Sequence, residues 1–388
     1  MGWDFICQLA LSVRRSGRLG NYQLDVHAPG IYCAIVVHFL AQGHKNQNKA
    51  WTLLGLLRLT RQYMATDVRD KVFALIGVVT DLDSIGLKVD YKLSTEDVYL
   101  SVAIHNLEKL RDLELLSNAG VSAAPTNDKL PSWVPNWSHN HDRRSILAVG
   151  SNVRFHAAGD SQPVLSISED KTVLTIRGIV IDTISQLNTT YVTMEKLDND
   201  PTKENNQKRV RLEEKKGLDC CETLAQAAHK FPENHTREEA LWRTLCCDRL
   251  PTIPHTRAPE EFGIGYKLLR ILNRATTAEG EYDMNKIDLD WVRANMVHST
   301  ALSNAMLKFT VGRRLCVTTG GYLGRVPFGS EAGDTICILF GGCVPFVLRE
   351  CDEGTFKFIG ECYIHGVMEG EAMENTDIET VTRDFKIR

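Results

Sequence analysis

No stretch of this 388-residue chain is apolar for long enough to cross a membrane as a helix. The longest run, Ile31 to Ala41, contains His38 and is about half the ~20 residues that a span requires. A basic excess is also missing: lysine and arginine number 45 against 49 aspartates and glutamates, and no cluster among them makes a nucleic-acid footprint. No secretory leader is expected, because Arg14 and Arg15 follow the apolar patch from Phe5 to Leu11 instead of preceding it. The chain has no Gly-x-Ser-x-Gly elbow, no papain-like cysteine signature, no Walker or dinucleotide fingerprint and no internal repeat. Its eleven cysteines are an odd number without framework spacing, and the adjacent pairs Cys220-Cys221 and Cys246-Cys247 suit disulfides poorly. Reduced thiols in a cytoplasmic protein are the expectation.

What the chain does have is concentrated between Arg313 and Met368. Apolar runs at Leu315 to Thr318, Thr335 to Phe340, Pro345 to Arg349 and Phe356 to Ile364 are separated by Gly320-Gly321, Gly329 to Gly333, Gly341-Gly342 and Asp352-Glu353-Gly354. Glycine-punctuated β-branched and aromatic runs predict an antiparallel meander. Its runs show little polar alternation, so both faces need cover, which favours a closed barrel with helices over part of its outside. Strands are also expected at Phe155 to Gly159 and Val164 to Ile184, joining the meander in one sheet, because neither group has enough strands to close alone. Residues 188–310 lack strand signals and predict a long helical insertion, with a capping box at Thr236 to Glu239 and further helices over 259–273 and 285–309. Asp198 to Lys216, charged and poor in apolar residues, reads as a surface loop or frayed helix.

Upstream, residues 1–60 carry mixed helical patterning through Phe5, Leu9, Val13 and Trp51, with a loop over Gly17 to Gly30. Thr66 is read as the N-cap of a helix whose first turn holds Asp67, Arg69 and Asp70 and whose stripe is Val68, Val72, Leu75, Ile76 and Val79. That polar trio is either a ligand-facing cluster or a cap and ion-pair network, and the second reading carries more weight because charged first turns are common. Ser94 to Asp97 is a capping box for a helix with Tyr99, Val102, Ala103, Leu107 and Leu110 on one face. Residues 117–130 read as a polar linker ending at Leu130-Pro131-Ser132-Trp133-Val134-Pro135-Asn136-Trp137-Ser138, where Trp133 and Trp137 form a proline-stiffened apolar clamp.

Near the end of the meander, Glu361, Tyr363 and His365 share one strand face, with Arg349 and Asp334 on neighbouring runs and Glu371 beyond. The cluster is either a ligand site at a barrel mouth or a satisfied buried network. Cys362 and His365, three apart in a strand, point to opposite faces and make a poor metal pair. No cofactor or metal is expected.

Several of these stretches carry a resemblance. The run Arg313-Arg314-Leu315, Thr318-Thr319-Gly320-Gly321-Tyr322-Leu323-Gly324, Pro327, Gly333-Asp334, Pro345-Phe346-Val347-Leu348-Arg349 and Ile359 to Glu371 resembles the C-terminal barrel region of fungal heterokaryon-incompatibility proteins. Ala65 to Lys71 is similar to the same family's Ala-Thr-Asp-Pro-Arg-Asp-Lys pattern, with Val68 in place of proline, and Leu130 to Ser138 to another of its motifs, with Asn136 in place of aspartate. Tyr322 joins the motif positions on this basis. The resemblance implies an α+β fold: an antiparallel β-barrel over residues 131–371, interrupted by the insertion at about 188–310, preceded by a helical region over 1–130 and followed by a tail over 372–388. It also implies that a signalling domain, with a TIR-like fold and a link to cell death, precedes such a region, and its Ser-Tyr-x-Trp-Gly and Arg-x-Trp-x-x-Gln-Glu patterns have no counterpart here. The expected function is a non-catalytic recognition or regulatory module in nonself recognition and programmed cell death, working through other incompatibility proteins and not through nucleic acid or membrane. A small-molecule-binding or hydrolytic barrel enzyme and a degenerate truncated paralogue are the alternatives.

Overall fold

The structure, a computed structural model, describes residue 38 and residues 52–79, 87–121, 129–138, 145–146, 155–188, 204–250, 256–374 and 377–388. The patterning read over Phe5, Leu9, Val13 and Trp51 and the loop over Gly17 to Gly30 lie outside these residues. The chain divides into two compact units, Met1–Leu110 with Asn136–Asn140, and Arg111–Pro135 with His141–Arg388.

In the first unit, Thr52 accepts a hydrogen bond from the Gly55 amide and opens α1 (Leu53–Leu59), which buries four leucines. α2 (Asp70–Ile76) buries Val72 and Phe73. It begins three residues later than the sequence suggests, and Thr66 does not cap it. Asp67 is the reason: its carboxylate accepts from the Arg69 amide at 3.0 Å and from the Arg69 guanidinium at 2.9 and 2.7 Å, and so holds 67–69 in a turn of its own. α3 (Thr95–Ile104) starts at the reciprocal capping box of Ser94 and Asp97 and buries Val98, Tyr99, Val102 and Ala103. It runs into a π-helical turn, His105–Lys109. The wider turn carries Leu110 off the buried face, leaving it 42% exposed.

The second unit is built on β2 (Leu174–Leu187), a 14-residue strand with Leu165–Ile167 (β1) beside it. The insertion follows as α4 (Glu204–Ala225), α5 (Arg237–Leu245), α6 (Glu261–Ala275) and α7 (Leu289–Thr310). Then come β3 (Arg313–Thr318), β4 (Leu323–Pro327), β5 (Thr335–Leu339), β6 (Phe346–Glu350), β7 (Thr355–Glu361), β8 (Tyr363–Ile364), the short helices α8 (Glu371–Glu374) and α9 (Ile378–Val381), and β9 (Thr382–Ile387). The nine strands among the described residues share one sheet in the order β5-β6-β7-β9-β2-β3-β4-β8, with β1 on β2. Because β5 also pairs with β2, the hydrogen bonding runs β2-β5-β6-β7-β9 and returns to β2.

Closure depends on β2 changing partners along its length. It pairs β9 through 174–179, β5 through 178–183 and β3 through 184–187, with irregularities at Val180/Asp182 and Ile184/Gln186 that bend it between neighbours. Gly178 sits where β5 and β9 flank the same residue, and a Cβ there would stand 2.3 Å from the Ile338 carbonyl oxygen. Only glycine lets the strands approach this closely.

Alternation along β3 puts Cys316 in an inner core with Ile179, Ile184, Ile336, Ile338, Val347, Ile359 and Ile364. Leu315 and Val317, with Leu323 of β4, face outward into a second core formed by Cys221, Ala225, Leu241, Trp242, Phe262, Tyr266 and Leu302 of the insertion helices. Both faces are thus apolar because both are covered.

Three further expectations are corrected, and the two readings of a fourth are decided. Phe155 to Gly159 is a turn, in which the Ala157 and Ala158 amides bond to Cys343 and Gly342 carbonyls and fill the inner core instead of extending the sheet. Residues 117–121 of the 117–130 linker are packed: Leu113–Asn118 is a 3-10 helix with Ser117 and Asn118 buried, and Val121 donates to the Ile359 carbonyl. Of Asp198 to Lys216, residues 198–203 lie outside the described residues, and the rest belongs to α4. Lys208–Glu281, Lys215–Asp219 and Lys216–Glu213 pairs compensate its polar composition while Cys221 and Ala225 anchor its far end. The 372–388 segment is no tail, since β9 lies between β7 and β2 and supplies Phe385 and Ile387 as fully buried side chains.

Candidate functional site

Register decides which polar side chains meet. Leu315 of β3 lies opposite Arg325 of β4, Arg325 opposite Tyr363 of β8, and Arg313 opposite Pro327. Opposed residues share a face, so Arg313, Arg325 and Tyr363 stand on the side that also carries Leu315 and Leu323, the side covered by the insertion.

At one end of this face Arg313 Nη2 donates to Glu361 Oε1 at 2.6 Å, with both side chains fully buried. Glu361 also accepts from the Ile146 amide at 2.6 Å and the Ser145 hydroxyl at 3.2 Å. At the other end a chain of groups begins at Tyr363. Its hydroxyl lies 2.8 Å from His365 Nδ1, and His365 Nε2 lies 2.9 Å from His235 Nδ1 in a stacked pair. His235 Nε2 is 3.7 Å from Glu239 of α5, which takes two bonds from Arg243. Arg243 bonds Asp248 at 2.7 Å, Asp248 takes Arg257 at 2.6 Å, and Arg257 pairs with Glu369.

Burial, reinforced by His235, Arg243 and Arg257, lowers the His365 pKa to about 3. Burial likewise raises the Tyr363 pKa well above the phenol range. With Tyr363 protonated and His365 neutral, one assignment pairs both His365 nitrogens: Tyr363 O–H donates to Nδ1 and His365 Nε2–H donates to His235 Nδ1. The turn that carries Asp248 is locally strained. Cys247 and Asp248 have φ of 50° and 48°, a left-handed pair closing α5 where glycine is usual.

This arrangement makes stability pH-dependent. The unfolded chain protonates a histidine near pH 6.5 and the folded chain refuses that proton until about 3. The His365 contribution is therefore complete above about 6.5 and is lost as pH falls through that window, at about 1.4 kcal/mol per pH unit. Urea midpoints compared at about pH 7 and about pH 5 should fall more for the parent than for His365→Gln. Equal acid loss in both proteins would refute the assignment.

The other motif positions take separate places. Arg349 bonds Asp334 twice, at 2.8 and 2.9 Å, with Glu331 and the Gly329 carbonyl as further partners. No hydrogen bond or ion pair joins this group to Glu361, Tyr363 or His365. Glu361 and His365 also part company, each turning to its own network. Glu371 opens α8 and accepts from the Glu369 amide. Tyr322 is half-buried under Lys230, whose ammonium lies 4.3 Å from the ring centroid. Asp67 and Arg69 pair with each other, Arg69 also donates to the Tyr91 and Leu93 carbonyls, and Asp70 accepts from Tyr91 at 2.6 Å. Trp133 and Trp137 are 0% and 1% exposed. Among the described residues no group of three or more His, Cys, Asp or Glu is placed to hold a metal, and no helix is long and apolar enough to cross a membrane. Of His235, Glu239, Arg243, Asp248 and Arg257, only Glu239 falls in a sequence motif, as the last position of the box opened by Thr236, with His235 just before that cap; Arg243, Asp248 and Arg257 are not distinguished by any.

Comparison with known proteins agrees with this architecture. The Het-6 beta-barrel domain family matches residues 171–385. Over 363 residues the chain is 26% identical to heterokaryon incompatibility protein 6, OR allele, of Neurospora crassa, a match covering 81% of this chain and 50% of that protein. The chain thus spans about half the length of the curated relative it matches. No solved structure matches. With the family matched over more than half of its residues, including every strand from β2 to β8, the chain belongs to the Het-6 beta-barrel domain family.

Proposed function

We propose that this chain is a non-catalytic recognition or regulatory module of a fungal heterokaryon-incompatibility protein, with the closed strand circuit as its β-barrel. The similarity to the Neurospora incompatibility protein across most of the chain carries this reading. The site supports it. Glu361 is consumed by Arg313, Asp334 by Arg349, and Tyr363 by His365, and a carboxylate neutralised in a fully buried ion pair is poorly placed to exchange protons with a substrate. Burial pushes up the thiols of Cys221, Cys246, Cys247, Cys316, Cys337 and Cys362, the reverse of an activated thiolate. The module would act in the cytoplasm by binding other incompatibility proteins and so contribute to nonself recognition and cell-death signalling. Incubated pure with NAD and with a panel of ester and phosphoester substrates, the chain should give no turnover. Turnover abolished by Glu361→Gln or His365→Gln would replace this reading with that of a barrel enzyme.

A further inference from the structure

Four arginines of the second unit, two of them buried or nearly so, have a carboxylate: Arg313 has Glu361, Arg243 has Glu239 and Asp248, Arg257 has Asp248 and Glu369, and Arg349 has Asp334. Arg325 does not. It is 3% exposed at the centre of β4, and its guanidinium makes no hydrogen bond and no ion pair with any described residue. Its Nε is buried without a partner. A guanidinium cannot shed its proton to escape the cost of burial, as a lysine can, and an uncompensated buried cation costs several kcal/mol.

Three groups that feel the Arg325 charge, the thiols of Cys221, Cys247 and Cys316, do not supply a counter-charge. Burial raises all three, Cys247 to about 11 and Cys316 to about 12, so each is an uncharged thiol at neutral pH. Glu361 is already engaged by Arg313, an amide and a hydroxyl.

A second observation points to the same place. Arg313 stands on the same face of the neighbouring strand, one pair along from Arg325, and both guanidiniums act on the Cys247 thiol. Arg313 Nε is also buried without a partner, while its Nη atoms go to Glu361 and the Phe309 carbonyl. Two guanidinium Nε–H donors are thus left unused on one covered face, and Arg313, Arg325 and Glu361 together carry a net charge of one positive unit.

We propose that Arg325, assisted by Arg313, holds a small oxyanion against the helix-covered face of β3 and β4, beside Cys247. The planar fork of arginine is matched to two oxygens of one group, the chemistry of a carboxylate or a phosphate, and a single negative charge neutralises the cluster. Chloride satisfies the charge but not the fork.

The test is a titration of the purified chain, exchanged into a chloride buffer of fixed ionic strength, with inorganic phosphate, sulfate and acetate in parallel. Thermal unfolding and the arginine Nε–H resonances of the 15N-labelled protein are the readouts. The expected result is a saturable rise in Tm with one of these anions, accompanied by movement of two Nε–H signals, those of Arg325 and Arg313. The anion that saturates first distinguishes an inorganic oxyanion from a carboxylate as the occupant. Arg325→Lys keeps the charge and should bind about tenfold or more weakly. Arg325→Met should lose the saturable response and, in the chloride buffer, melt no lower than the parent, because the uncompensated charge is gone. Should Arg325→Met not fold, the Nε–H titration of the parent and of Arg325→Lys still decides. An unsaturable response shared by parent and both variants, or Nε–H signals unmoved by all three anions, would overturn the proposal.

Discussion

Glu361→Ala should lower the stability of the sheet unit by about 3 to 5 kcal/mol, because it leaves the Arg313 guanidinium buried with no counter-charge. Both partners are fully buried, so no solvent screens the orphaned charge. The Ile146 amide would lose its acceptor as well. The double variant Arg313→Met/Glu361→Leu should recover most of the loss, since apolar residues of similar volume often replace a buried pair without cost. Urea unfolding of the three variants and the parent is the measurement. A single variant within about 1 kcal/mol of the parent would mean that water reaches this pair. A double variant as unstable as the single would mean that shape, not charge, matters there.

Trp133→Ala and Trp137→Ala should each cost about 3 to 5 kcal/mol, the range for deleting a buried aromatic. Each indole belongs to its own compact unit, so the two losses should appear in separate transitions if the units melt independently. Their milder variants should differ. Trp133 Nε1 donates to the Thr172 carbonyl at 3.3 Å, whereas Trp137 Nε1 is buried with no partner under the Arg61 guanidinium, 4.7 Å from its ring. Trp137→Phe removes an unsatisfied donor and should be the better tolerated of the two phenylalanine substitutions. Alanine variants that melt like the parent would contradict a core role and favour a binding surface.

The sequence was most informative where the physics is local. Ser94 with Asp97 and Thr236 ahead of α5 specify helix starts through hydrogen bonds spanning three residues; the first is the reciprocal box as read, while at the second Thr236 caps the Glu239 amide and the Glu239 carboxylate turns to Arg243. Glycine-separated apolar runs located β3, β5 and β6 to within about two residues, while the run Phe356 to Ile364 is divided between β7 and β8 at Cys362. Local reasoning failed where a competing interaction was equally local but of another kind: Asp67 spends its carboxylate on Arg69, and that turn delays α2 past the Thr66 cap.

Of the site, alternation read Glu361, Tyr363 and His365 onto one face of one strand, whereas Glu361 ends β7, Tyr363 opens β8 and His365 lies in the turn after it, and the three divide between two networks. Glu361 meets Arg313 across 48 residues, and His365 meets His235 across 130. No periodicity reaches that far. The strand character of β3, β5 and β6 and the caps at Ser94 and Thr236 were therefore determined by the sequence alone, through dihedral preference and short-range hydrogen bonding. The tertiary structure alone decided that β9 joins the sheet, that β2 serves three neighbours, and which charge neutralises which. Those outcomes depend on strand register and on burial, which fix partners only after distant segments have been brought onto one face.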